Sequence, residues 1–198
     1  MDSSSSHRGA FSVADGIGRI FLIAVVFLLP FFVIPLPYAA IAQGKVLLAA
    51  VLFIFAALIW AYARLVEGSV AVPRSPLVYV SVLLPVAYLI STLMTGWNNA
   101  SVVGTGVEQD TLTAVALMSS LFLLSAFAFY GSAAAIRLMI QGLVLGLVAL
   151  FALEALYLYI PQWFSLGGTF AGQTANAFGS WHDLGIVAGL SLFLSVTI

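Results

Sequence analysis

The chain contains no cysteine, which excludes disulfides, thiolate nucleophiles and thiolate-ligated metals. Charge is almost as scarce: 7% of the 198 residues are Asp, Glu, Lys or Arg, against roughly a quarter in a water-soluble domain. Six basic residues in all cannot build the Lys and Arg clusters that grip a phosphate backbone, which argues against a nucleic-acid partner. Two histidines, His7 and His182, leave little for a metal site. What fills the chain instead is apolar. A hydrophobic content of 63% and a mean hydropathy of +1.18 point to an integral membrane protein.

The first 15 residues, with Ser3-Ser4-Ser5-Ser6-His7-Arg8 at their centre, are polar and carry no apolar run long enough for a signal peptide. They read as a short disordered cytoplasmic tail, with residues 16–198 forming one transmembrane helical domain. Apolar runs follow at Ile20 to Leu36, Val46 to Ala63, Leu77 to Met94, Leu112 to Tyr130 and Leu138 to Ile160. Each is close to the ~20 residues that cross a ~30 Å hydrocarbon core. The first lacks a small-residue cleavage site and stays as a span. Another run opens at Leu184 and is still apolar at Ile198. The expectation is an all-α, polytopic transmembrane helix bundle of five complete spans plus a truncated sixth, the N-terminal fragment of a longer protein. Runs of this length without alternation exclude barrel strands.

Cytoplasmic loops retain Lys and Arg, so the basic residues set the orientation. With the N-terminus cytoplasmic, Arg8, Arg19, Arg64, Arg74 and Arg137 share the inner side and Lys45 stands alone outside. The longer connections, 95–111 and 161–183, then face outward and are the natural place for function. Trp97 and Trp163 fall at outer boundaries, and Trp60 with Tyr62 near an inner one, as interfacial aromatic anchors do.

Glu154 is the one carboxylate inside an apolar run, about 9 Å below Ile160 at 1.5 Å per residue. A charge at that depth is costly, so it either serves a proton relay or acceptor-site base, or is protonated or bonded to a neighbouring helix. Lys45, in Gln43-Gly44-Lys45-Val46, either holds an anionic headgroup, diphosphate or carboxylate, or snorkels to the interface. Asp110 suits the N-cap of the span that opens at Leu112, with Glu108 adding favourable charge. Ser180-Trp181-His182-Asp183 matches a capping box, which accounts for Ser180 and Asp183. His182 and Asp183 are adjacent and point apart on a helix, so they form no dyad; His182 is left as an outward general base or proton-sensing group. Gly167, Gly168, Gly172 and Gly179 suit irregular backbone without the spacing of a phosphate loop. Asn99-Ala100-Ser101 matches a glycosylation acceptor, a frequent chance match.

Gly168-Thr169-Phe170, then Asn176-Ala177-Phe178-Gly179-Ser180-Trp181-His182-Asp183-Leu184-Gly185 entering an apolar helix, together with the order of spans, resemble the N-terminal membrane half of the O-antigen ligase and polymerase-like family of bacterial envelope proteins. The resemblance implies a multi-pass glycosyltransferase of the bacterial cytoplasmic membrane. Such enzymes move or polymerise a polyprenyl-diphosphate-linked glycan, onto a lipid or sugar acceptor, at the outer face and without a metal or other cofactor. On this reading Glu154 and His182 are candidate catalytic residues, and Lys45, Asn176 and His182 candidate substrate-binding ones. The decisive Arg and His residues of the family lie largely in a big outer loop and following helices, so the fragment alone is expected to be inactive. Two other classes stand beside this one. A transporter or channel subunit is suggested by Glu154 and by Pro30 and Pro85 within spans, although no inverted repeat is evident. The other is a non-catalytic membrane scaffold.

Overall fold

A computed structural model describes residues 3–34, 41–104, 111–160, 176–178 and 181–197. Among them every regular element is a helix: α1 (Ser3–Leu28), α2 (Ile41–Glu67), α3 (Pro76–Thr95), the four-residue α4 (Asn99–Val102), α5 (Leu112–Ala128), α6 (Ala133–Tyr159) and α7 (Trp181–Thr197). Helices satisfy their own backbone, which is what apolar surroundings demand. Gln43–Glu67, Pro76–Thr95 and Ala133–Tyr159 are each long and apolar enough to cross a membrane. α5 and the His182–Leu192 part of α7 are apolar but shorter.

Helix ends follow local chemistry. Ser75 and Pro76 open α3, the hydroxyl accepting from the Leu77 N–H and the ring occupying the first helical turn. Gly131, at φ +73°, turns the chain between α5 and α6, and the Ser132 hydroxyl caps α6 at the Ala135 N–H. α5 departs from expectation by one residue: its N-cap is Thr111, whose hydroxyl accepts from the Ala114 N–H at 3.3 Å. Thr111 has the extended backbone an N-cap needs, so Asp110 is not the cap; Asp110 and Glu108 lie outside the described residues. α1 also differs. It starts at Ser3, within the stretch expected to be a disordered tail, and stops at Leu28 rather than Leu36. Pro30 explains the stop, because a proline disfavours helical backbone at the residue before it.

α1 is the central element, packed against α2, α5 and α6. Small residues bring the axes together. Ala49, Ala56 and Ala63 recur every seven residues on α2 and are fully buried, and Gly18 of α1 lies against the backbone of Ala56 and Trp60. On α6, Gly142 and Gly146 form a Gly-x-x-x-Gly face on α1. A Cβ at Gly142 would meet the Ile23 side chain at 3.0 Å, and one at Gly146 would collide with the Phe27 carbonyl. These contacts set the directions: α2 and α5 run against α1, and α6 runs with it. The outward surface is apolar, most plainly on α3, where Leu77, Tyr79, Leu83, Ile90 and Leu93 are all exposed. Exposed aliphatic side chains on long helices belong in lipid.

One end of the bundle is closed by charge. Asp15 bridges Arg19 at 2.6 Å and Arg64 at 2.5 Å, and Arg64 also bridges Glu67 at 2.6 Å. Arg19 further donates to the Ala128 carbonyl at 2.8 Å, joining the end of α5 to α1. Trp60, half-buried, packs on Phe127 and under the Arg64 guanidinium, with separations of 5.9 and 6.0 Å. Trp97 is exposed, as an anchor requires, and Trp163 lies outside the described residues.

Candidate functional site

The opposite end holds the other buried charges. Lys45 sits one turn into α2, beside the reversal at residues 29–34 that follows α1. Gly44 lets that reversal come close, since a Cβ there would stand 3.1 Å from the Ile34 side chain. Lys45, only 7% exposed, consequently points inward: its Nζ donates to the Pro30 carbonyl at 2.7 Å and lies 4.5 Å from the centre of the Phe178 ring. A carbonyl just past a helix C-terminus and an aromatic face are both good partners for an ammonium. An ammonium carries three N–H donors, and this one makes a single hydrogen bond among the described residues.

Glu154 arrives from α6, which rises beside α1 on the Gly142 and Gly146 contact. It is 5% exposed and accepts from the Ala177 N–H at 2.5 Å through Oε1. Its Oε2 has no hydrogen-bond partner among the described residues. The carboxylate and the Lys45 ammonium lie near enough to act on each other electrostatically, yet no ion pair joins them.

The third component is Asn176-Ala177-Phe178, just before α7. Asn176 is fully buried, and its Oδ1 accepts from the Phe178 N–H at 2.9 Å. This is the side-chain turn that asparagine makes readily. It turns the Ala177 N–H to Glu154 and the Phe178 ring to Lys45. Beneath the three lies an apolar floor in which Leu150, Ala177 and Leu184 are buried.

Lys45 thus meets Glu154 and Asn176, each more than a hundred residues further along the chain, in one place. Lys45 does not snorkel; it is buried and partnered. His182 does not join them: it is exposed on the first turn of α7. Asp183 is in the same turn, where a negative charge suits the helix N-terminus; Ser180 lies outside the described residues. Two contributors escaped the sequence reading, the Pro30 carbonyl and the Phe178 ring. Phe178 belongs to the Asn176-Ala177-Phe178 element, whose position before a helix was the available signal. Among the described residues no group of three His, Asp or Glu side chains is arranged to hold a metal. No protein-family model, curated protein sequence or solved structure matches this chain.

Proposed function

We propose that the chain is the N-terminal membrane part of an O-antigen ligase or polymerase-like protein, with five complete spans and the start of a sixth. On this reading the arginine end faces the bacterial cytoplasm and the lysine end the outer side of the inner membrane, and a polyprenyl-diphosphate-linked glycan is passed to a lipid or sugar acceptor. The observation that supports it most is the meeting of Lys45, Glu154 and Asn176 at the end away from the arginines.

In this function the acceptor hydroxyl oxygen attacks the anomeric carbon and the bond from that carbon to the diphosphate oxygen breaks. The acceptor proton needs a base, and Glu154 Oε2 is a carboxylate oxygen without a hydrogen-bond partner among the described residues. The departing diphosphate gains negative charge, and the remaining N–H groups of Lys45 are donors for it. Asn176 orients both groups through the Ala177 N–H and the Phe178 ring. His182, exposed on α7, lies beside rather than within this arrangement.

The test is lipid binding to the purified chain in nanodiscs. A polyprenyl-diphosphate saccharide should bind, and Lys45→Met should weaken it by about tenfold, as for one lost charge-assisted hydrogen bond. Equal binding by the variant, or equal binding of an uncharged polyprenol, contradicts the reading. A partnerless carboxylate oxygen within a span is also what a transporter subunit would present. Substrate-dependent proton flux in liposomes, lost in Glu154→Gln, would favour that class instead.

A further inference from the structure

An apolar furrow runs along α1 between α5 and α6. It consists of two adjoining hollows of about 530 Å³ and about 350 Å³ whose walls share Val25, Val26 and Leu121. The larger ends at Tyr130, Gly131 and Ile136, the turn from α5 into α6. The smaller continues to Pro30 and Phe178 at the lysine end. Along α5 the furrow extends from Met118 to Phe129, about 16 Å at the helical rise, which is close to half of a ~30 Å hydrocarbon core. Exposed Met118, Phe122 and Ile136 form its rim, so it opens sideways to the surroundings of the helices.

Water does not suit such a furrow, because a bound water needs two or more polar partners. The side-chain hydroxyls on the walls are those of Ser125, Ser191 and, at the turn end, Tyr130, and Ser191 already donates to the Val187 carbonyl at 2.6 Å. Hydrocarbon fits it in length and chemistry. The charge around the open end selects among hydrocarbon-bearing lipids. At the arginine end Asp15 and Glu67 are taken up by Arg19 and Arg64. Arg74 and Arg137 are exposed there and have no ion-pair partner among the described residues. Arg137 is the next residue after Ile136, which lines the larger hollow.

We propose that this furrow is a binding site for an anionic phospholipid, with one acyl chain seated along α1 and the headgroup at Arg137. The site is independent of the glycan reading: its headgroup end is opposite Lys45 and Glu154. It gives α1, α5 and α6 a lipid as a shared packing partner where protein side chains leave a gap.

Native mass spectrometry of the full chain in mild detergent, titrated with phosphatidylglycerol and phosphatidylcholine, tests it. The chain should retain one phosphatidylglycerol about fivefold more strongly than phosphatidylcholine, the preference one arginine near a headgroup supplies. Arg137→Gln should equalise the two lipids. Ala126→Phe, inside the furrow, should remove retention of both, and Ile136→Trp at the exposed rim should do the same if the first variant does not fold. Equal retention of the two lipids by the unaltered chain, an unchanged preference in Arg137→Gln, or undiminished retention in the filled variants overturns the proposal. So does a stronger hold on polyprenyl phosphate than on phosphatidylglycerol, which would make the furrow an isoprenoid site.

Discussion

At the arginine end Asp15 is gripped by two guanidinium groups, whereas at the lysine end Glu154 faces its nearest cation without an ion pair. Both carboxylates are buried. The difference is in what each group has left over. Asp15, Arg19, Arg64 and Glu67 neutralise one another and tie α1 to α2 and α5, which is the arrangement of a structural clamp. Lys45 and Glu154 are each held by backbone groups, Pro30 and Ala177, and keep donor and acceptor capacity unspent. A buried charge left incompletely matched costs stability, so its retention argues for a role outside folding.

The comparison presupposes that α1 seats both ends in one body, and the harshest way to break it is to unseat α1. Gly146→Leu drives a side chain into the Phe27 carbonyl, and the expected loss is about 3 kcal/mol, enough to prevent recovery of folded protein. Fluorescence-detected size exclusion in detergent reads this directly. Next comes Arg64→Ala, which strips Asp15 of one partner, Glu67 of its bridge and Trp60 of its guanidinium. A loss of about 3 kcal/mol is expected for an opened buried pair and should appear as a lowered midpoint of thermal unfolding. The lysine end should respond much less. Phe178→Leu removes the ring under Lys45 and should cost about 1 kcal/mol in the same assay, while weakening any anionic ligand by freeing the ammonium to move.

The helices themselves were largely legible in the sequence. The runs at 46–63 and 77–94 sit inside α2 and α3, and that at 138–160 overruns α6 only by its C-cap Ile160, because unbroken apolar stretches of that length have no alternative to helix in lipid. α1 was less so: hydropathy marks Ile20 to Leu36, but the helix begins at Ser3, within a Ser-rich polar stretch, and ends at Leu28, just before Pro30. The Gly142-x-x-x-Gly146 spacing was also there to be read and locates the face of α6 that meets α1. The candidate site was legible only as separate residues. Lys45 and Glu154 each stood out as a lone charge at an apolar helix, but nothing local says that residues 109 apart in sequence face each other, or that Pro30 and Phe178 complete the surroundings. The lone charge of Lys45 suggested snorkelling; the close approach at Gly44 turns it inward instead.

Neutralising each carboxylate without changing its shape separates a clamp from a functional site most directly. Asp15→Asn and Glu154→Gln can be compared as thermal unfolding midpoints of the purified chain in one detergent at one pH. Asp15→Asn should lower stability by about 2 kcal/mol, since two ion pairs lose their charge. Glu154→Gln keeps an oxygen for the Ala177 N–H and removes a buried charge, so its midpoint should stay the same or rise. A fall in Glu154→Gln as large as that in Asp15→Asn would show that the lysine end is a second clamp and would contradict the account.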